Sequence, residues 1–280
     1  MPHGSILLNA VDSFARLNDI VFKRSGQARD GLKRWLYDRY ESKMLRTVAG
    51  ASFVSEADLA YVRERNPQAK LWCIPNGVDT SWFSADDRIR DPASVLFTGN
   101  FAYQPNANAA LHFARDILPL IRARRPDATF LVAGREPPRE LDGIDGVETL
   151  GFVPDIRDAY RRATVFACPL RSGAGIKNKV LEAMACEVPI VTTSLGVDGI
   201  PGAYPGVHYL QAEDPRAFAD RILQLLDEPD RRVELGRLAR QLVQGRMNWD
   251  AVVNHYFSAL AEVAASSADP VISRVHAVAE

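Results

Sequence analysis

Short apolar runs alternate with longer stretches of helical period along nearly the whole chain, and this alternation limits the fold more than any other feature. An apolar run closed by Gly, Pro or Asn reads as a strand, and apolar residues three and four apart read as a helix. Strands are expected at Ile6–Val11, Ala51–Ser55 and Lys70–Ile74, the last closed by Pro75-Asn76-Gly77. Six more are expected at Val95–Thr98, Thr129–Ala133, Val147–Val153, Thr164–Leu170, Val188–Thr193 and Val207–Gln211. Helices are expected over 30–48, Glu56–Arg65, Asn106–Arg124, Asp155–Ala163, from the loop at 172–175 to Cys186, and in most of 214–265. Repeated strand-helix-strand units imply an α/β fold of parallel sheets with helices on both faces. Ligands of such sheets bind outside the carboxyl ends of the strands. The loops of interest are therefore 99–105, 134–146, 152–155, 171–176 and 194–206.

The polar, proline-containing stretch 84–93 reads as a linker, so 1–90 and 91–248 are expected to form separate domains, with 249–280 as a final helix and tail. A length of 280 residues suits two domains at roughly 100–200 residues each. The first segment offers three strands and opens directly on one, so its sheet is expected to be incomplete, or completed by a partner chain. A formal net charge of -1 provides no global field for nucleic acid. The three cysteines, Cys73, Cys168 and Cys186, are far apart and sit largely in apolar runs, as free thiols of a reducing compartment do. The five histidines show no ligand spacing with cysteine or carboxylates, so no metal site is expected. No secretory leader is expected, and no apolar run approaches the ~20 residues of a membrane span. A cytoplasmic protein, at most peripheral to the inner face of a membrane, is expected.

The stretch with most chemistry is Arg171-Ser172-Gly173-Ala174-Gly175-Ile176-Lys177-Asn178-Lys179-Val180-Leu181-Glu182-Ala183-Met184-Ala185. It follows a strand and opens a helix. Gly173 and Gly175 let a ligand approach the backbone closely. The free N–H groups and positive dipole end of the new helix favour an anion there, and Lys177 adds a full charge. Asn178 and Glu182 stand four apart on one helix face. Phosphates at the helix mouth and a carboxylate one turn further in make a nucleotide site. Each piece alone also reads as a tight turn and a solvated helix start.

These residues resemble the signature of family 4 glycosyltransferases, whose GT-B architecture has two facing Rossmann-like domains. Other blocks agree in order: Phe97-Thr98-Gly99 with Pro105-Asn106, Phe130-Leu131-Val132-Ala133-Gly134, Leu150-Gly151-Phe152-Val153-Pro154-Asp155, and Ile74-Pro75-Asn76-Gly77-Val78-Asp79. The helix from Trp249 resembles the last helix, which returns to the N-terminal domain. The similarity runs from about residue 50 to residue 265 and is nearest in flavour to bacterial exopolysaccharide sugar transferases. It implies transfer of a sugar from a nucleotide diphosphate sugar to an acceptor hydroxyl, saccharide or lipid-linked, with retention at the anomeric carbon and without an essential metal or other cofactor. It implies that Glu182 holds the ribose hydroxyls. Gly173, Gly175 and Lys177 would hold the diphosphate, and Gly99 and Asn100 would face it. Phe152 and Val153 would line the base. Lys179 matches a lysine of a subset and would reach phosphate or only a nearby carboxylate.

The chain departs from the pattern at two places. The family's first glutamate falls at Ala174, and the usual Arg and Lys after the first strand of the donor domain are missing from Asn100-Phe101-Ala102-Tyr103-Gln104. Lys177 and Arg135 are the candidates to compensate, with Lys177 acting on the leaving diphosphate. Asp12, just past the first strand, is a candidate acceptor-side catalytic residue; it reads equally as an Asx turn or helix cap with Ser13. Gly31–Arg46 carries basic and aromatic residues together. It reads as an internal helix packing its aromatics, or as a helix lying on an anionic membrane. Three other functions are weighed against the transferase: a nucleotide-sugar-binding module without transfer, a GT-B-shaped epimerase, and a dehydrogenase. No GxGxxG follows a strand to support the last.

Overall fold

The computed structural model describes residues 6–85, 90–173 and 175–267, whose strands form two wholly parallel sheets. Backbone packing divides the chain into two units, one of residues up to Asn76 together with the chain from Asp250, the other Gly77–Trp249.

The first unit has three strands, β1 (Leu7–Val11), β2 (Gly50–Phe53) and β3 (Leu71–Cys73), in that spatial order. Alternate residues of each strand point to opposite faces. Leu8, Ala10, Phe53 and Cys73 pack with Leu45, Leu59 and Val62, carried by helices α2 (Ala28–Leu45) and α3 (Glu56–Arg65). Leu7, Trp72 and Ile74 pack on the other side against Val252, Tyr256 and Ala259 of the C-terminal helix, α10 (Trp249–Ser267). The sheet is thus covered on both faces, as a parallel sheet requires.

Two readings of this region change. Residues 14–25, unassigned in the sequence, form helix α1 (Phe14–Ser25). Ser13 caps it, its Oγ accepting from Arg16 N at 3.1 Å, and Gly26 ends it at φ 62°. The aromatics of α2 do not pack inward: Trp35 is 52% and Tyr40 63% exposed, and only Asp30 and Leu45 of this helix are buried. Acidic residues of α1 and α2 are paired. Asp19 meets Lys23 and Arg34, Asp38 meets Arg65, and Glu41 accepts from Ser13 Oγ. Burial pushes the Glu41 carboxyl up in pKa.

The second unit is a six-stranded sheet. Its strands are β4 (Ser94–Thr98), β5 (Thr129–Ala133), β6 (Val147–Gly151), β7 (Val165–Cys168), β8 (Ile190–Thr192) and β9 (Leu210–Gln211), in the order β6-β5-β4-β7-β8-β9. This is the strand order of a dinucleotide-binding doubly wound sheet, and its direction reverses between β4 and β7. All of β4 is buried, as befits a central strand. Helix α4 (Gln104–His112) runs through one π turn (Phe113–Ile117) into α5 (Leu118–Arg122). Pro119 has no N–H for the regular bond, and the wider turn absorbs its ring. Phe113 on that turn stacks on Phe130 at 4.2 Å and meets Phe218 of α8 (Pro215–Asp227) edge-on. The remaining helices of this unit are α6 (Arg157–Arg162), α7 (Asn178–Ala185) and α9 (Pro229–Arg246).

The stretch 84–93, read as a linker, follows a segment that already packs with the second unit. Val78 N donates to Met247 O at 2.7 Å, and the Phe83 ring meets Tyr160 edge-on at 6.1 Å. Residues 86–89 and Ala174 lie outside the described residues. No helix among the described residues is long and apolar enough to cross a membrane.

Candidate functional site

The reversal of strand order leaves a gap outside the carboxyl ends of β4 and β7, and a cleft of about 470 Å³ opens there. Four loops reach it, those after β4, β5, β6 and β7. The loop at 194–206, also of interest in the sequence, contributes no lining residue among those described.

The floor depends on glycine. Gly134, at φ 138°, lies against the Gly99 carbonyl; a Cβ there would stand 1.8 Å from that oxygen. The loops after β4 and β5 are then stitched by Gly99 N to Ala133 O (3.0 Å) and Phe101 N to Arg135 O (2.9 Å). Beyond β7, Gly173 and Gly175 take φ values of 123° and 70°, which turn the chain sharply into α7.

At the start of α7, Lys177 is buried and its Nζ donates to the Gly175 carbonyl at 2.6 Å. Asn178 is exposed at the cleft. Lys179 reaches across to α4 and β4: its Nζ donates to Asn106 Oδ1 of α4 at 2.7 Å and lies 4.4 Å from the centre of the Phe97 ring of β4. Burial holds this ammonium down at a pKa of about 8. One turn further along α7, Glu182 Oε2 accepts from Tyr160 Oη at 2.8 Å. Tyr160 is wholly buried, and its oxygen also lies 3.0 Å from Thr98 Oγ1. With its one proton directed to Glu182, Tyr160 accepts from Thr98. Burial raises the Glu182 pKa, and the Tyr160 hydroxyl and the Lys179 charge pull it back. Burial and the Glu182 charge hold the Tyr160 hydroxyl well above its usual pKa.

At the other end of the cleft the Arg135 guanidinium lies 5.3 Å over the Phe152 ring, which is 62% exposed. A flat cation on an accessible aromatic face makes a platform for a planar ring.

Of the residues singled out from the sequence, Gly99, Asn100, Arg135, Phe152, Val153, Gly173, Lys177, Lys179 and Glu182 all line this cleft. Gly175 lies behind the wall, bound through its carbonyl to Lys177. Asp12 lies in the other unit, after β1 and next to Val11 at φ 62°, and lines no part of the cleft. Sequence reasoning missed Asn106, Tyr160 and Thr98. Asn106 follows Pro105 at a helix start and Tyr160 follows the 150–155 block, so proximity to motifs was the available signal. Asn106 meets Lys179 across 73 residues, Tyr160 meets Glu182 across 22 and Thr98 meets Tyr160 across 62, which no local pattern reveals. Among the described residues no group of three His, Cys, Asp or Glu is placed to hold a metal.

Residues 92–228 match the family described as Glycosyl transferases group 1. A GDP-mannose-dependent monoacylated alpha-(1-6)-phosphatidylinositol monomannoside mannosyltransferase of Corynebacterium glutamicum is 30% identical over 201 residues, which is 63% of this chain and 52% of the relative. The chain thus spans about half the length of the curated relatives it matches. Sucrose-phosphate synthase from Thermosynechococcus elongatus aligns with a TM-score of 0.72 at 20% identity, covering 89% of this chain and 66% of that one. Anabaena HepE in complex with UDP and glucose aligns with a TM-score of 0.65 at 14% identity, covering 81% and 67%. These two likenesses place the fold in the GT-B class, here with three strands in the first sheet. Residues 92–228, the part of the chain that holds the cleft, thus match the group 1 glycosyl transferases.

Proposed function

We propose that the protein transfers a sugar from a nucleotide diphosphate sugar to an acceptor hydroxyl, saccharide or lipid-linked, with retention at the anomeric carbon. One observation carries this reading. The cleft sets an aromatic-guanidinium platform, a helix N-terminus with two lysines, and a carboxylate held by Tyr160 along one trough. The base lies by Phe152 and Val153, Glu182 takes the ribose hydroxyls, and the diphosphate meets the start of α7. Negative charge develops on the diphosphate as the glycosidic bond breaks. Preorganised N–H groups and ammonium groups stabilise it without reorganisation at that moment. On this reading transfer needs no metal, and chelation leaves it unchanged. Asp12 is proposed to act on the acceptor side.

The relatives named as mannosyltransferases of phosphatidylinositol or of its monomannoside support a lipid-linked acceptor, and we propose that the protein meets it at the cytoplasmic face of a membrane. The α1–α2 surface supports a peripheral contact there. Every exposed charge on its described side chains is basic (Lys23, Arg29, Lys33, Arg39 and Lys43), and Leu32, Trp35, Leu36 and Tyr40 are exposed among them.

The test is calorimetric titration with UDP, GDP and ADP, with and without chelator, followed by transfer assays on lipid extracts. One saturable nucleotide and a glycosylated product are expected. Ala174, standing where the family has a glutamate, favours a second reading, a binding module without transfer. Nucleotide-sugar binding with no product from any acceptor would establish that one instead.

A further inference from the structure

The loop after β4, Gly99-Asn100-Phe101-Ala102-Tyr103-Gln104, faces the start of α7 across the cleft and carries no cation. A diphosphate lying between them meets charge from one side only, unless a side chain crosses. Lys179 crosses. Its Nζ sits against the end of β4, so close that a Cβ on Gly99 would stand 2.9 Å from it. We infer that Lys179 is the principal cation for the donor diphosphate and that Asn106 is the residue that positions it. This rests on the cleft being a nucleotide diphosphate site, as proposed above.

Three features support the assignment. First, Asn106 is buried and its amide is used at both ends: Nδ2 donates 2.8 Å to the Asn100 carbonyl, and Oδ1 accepts from Lys179. Only this amide orientation satisfies both partners, because the flipped group would turn its NH2 on an ammonium. Second, among the described residues no carboxylate lies within ion-pair distance of Lys179. Glu182, one turn on, is bonded to Tyr160 instead. A half-buried ammonium without a carboxylate is costly, and an anionic ligand offsets that cost. Third, Asn106 and the Phe97 ring occupy only part of its surroundings, and an ammonium has three protons to give. Lys177, by contrast, directs its ammonium at the Gly175 carbonyl of its own loop.

The bland alternative is that Lys179 merely braces α7 against the β4 loop. The two roles separate by pH and by ligand. The charged or titratable groups facing Lys179 are Lys177 and Glu182 from the α7 segment, Cys168 from β7 and Tyr160 from α6. Cys168 and Tyr160 are held above their usual ranges by burial, and Glu182 is a carboxyl raised only from the acid range. Lys179 is thus the group placed to lose its proton near pH 8.

The experiment is calorimetry on the whole chain with UDP, GDP, ADP and the matching nucleosides, from pH 7 to 9.5. The variants are Lys179→Met, Lys179→Arg, Asn106→Ala and, as a control, Lys177→Met. For whichever diphosphate the wild type binds, Lys179→Met is expected to lose roughly tenfold or more, with the nucleoside changed less than about twofold. Wild-type affinity for the diphosphate should fall as pH rises through about 8. Lys179→Arg should restore binding and flatten that profile, since a guanidinium keeps its proton. Asn106→Ala should lose part of the affinity and move the midpoint to lower pH, while Lys177→Met keeps the midpoint. Diphosphate binding unchanged in Lys179→Met, or equal losses for diphosphate and nucleoside, would overturn the inference and leave the cleft reading standing. A folded wild type that binds no diphosphate would overturn both.

Discussion

Replacing Tyr160 by Phe isolates the hydrogen bond that holds Glu182. The ring is wholly buried, tilted against Phe166 at 5.8 Å and edge-on to Phe83 at 6.1 Å, and Phe keeps those contacts. The variant therefore removes an oxygen and leaves no cavity. Three contacts of that oxygen go, to the Glu182 carboxylate at 2.8 Å, to Thr98 at 3.0 Å and to the Lys179 carbonyl at 3.1 Å, its one proton serving chiefly the carboxylate. A hydrogen bond to a charged group is worth about 1.5–3 kcal/mol and a neutral one about 1. Thr98 is buried and loses its partner outright, whereas Glu182 lines an open cleft where water can replace the hydroxyl. A net loss of about 2 kcal/mol follows from taking the low end for Glu182 and a partial cost for Thr98. At about 2–4 °C per kcal/mol for a unit of this size, the midpoint should drop by about 4–8 °C. The loss should depend on pH. Glu182 has a folded pKa above its unfolded value, so its burial costs nothing below the unfolded carboxyl range, and the cost grows as pH rises through the raised folded value. Tyr160 relieves that cost, so Tyr160→Phe should be most damaging at neutral pH and least damaging near pH 4. Ligand binding supplies the second readout. If Tyr160 aims Glu182 at a ribose, the variant should lose roughly tenfold in nucleoside affinity, and Tyr160→Phe with Glu182→Ala together should lose little more than Glu182→Ala alone. Additive losses, or a midpoint unchanged between pH 4 and 7.5, would refute the network.

Three further outcomes are expected. Gly134→Ala should destabilise the second unit by about 3 kcal/mol or more, because a Cβ 1.8 Å from the Gly99 oxygen forces the β4 and β5 loops apart and φ 138° is strained for alanine; a midpoint within 2 °C of wild type, by roughly the same scaling, would show that the two backbones do not touch. Glu182→Ala should weaken nucleoside and nucleoside diphosphate alike, by about 1.5–3 kcal/mol for a lost charged hydrogen bond, and unchanged affinity removes Glu182 from the ribose. Vesicles containing anionic phosphatidylglycerol should sediment the protein and neutral phosphatidylcholine vesicles should not, with Trp35→Ser and Lys33→Glu together releasing it; equal sedimentation by both vesicle types would dismiss the basic α2 surface as the cause.

Much of this protein is written locally. Apolar runs such as Val95–Thr98 and Thr129–Ala133 end in Gly99 and Gly134, and those patterns locate the strands because burial on both faces demands continuous apolar residues. The glycines, lysines and glutamate of 173–182 mark a strand-to-helix turn with anion-binding chemistry for the same local reason. Helix α1 escaped because its apolar residues are diluted by Arg16, Asp19 and Lys23, and its definition comes from the Ser13 cap and Gly26. The burial of α2 was misjudged because a mixed basic and aromatic pattern says nothing about which face meets a neighbour; Asp38 and Glu41 found partners on α3 and beside α1, and the aromatics were left outside. The sequence by itself determined the parallel α/β class, the loops after the strands and the type of ligand they suit, since these follow from chain-local periodicity and backbone freedom. Only the tertiary structure decided that β4 lies beside β7, and with it that Asn106 meets Lys179 and Tyr160 meets Glu182. Strand order is a choice among sheet neighbours far apart in the chain, settled by the packing of whole faces, and no local pattern encodes it.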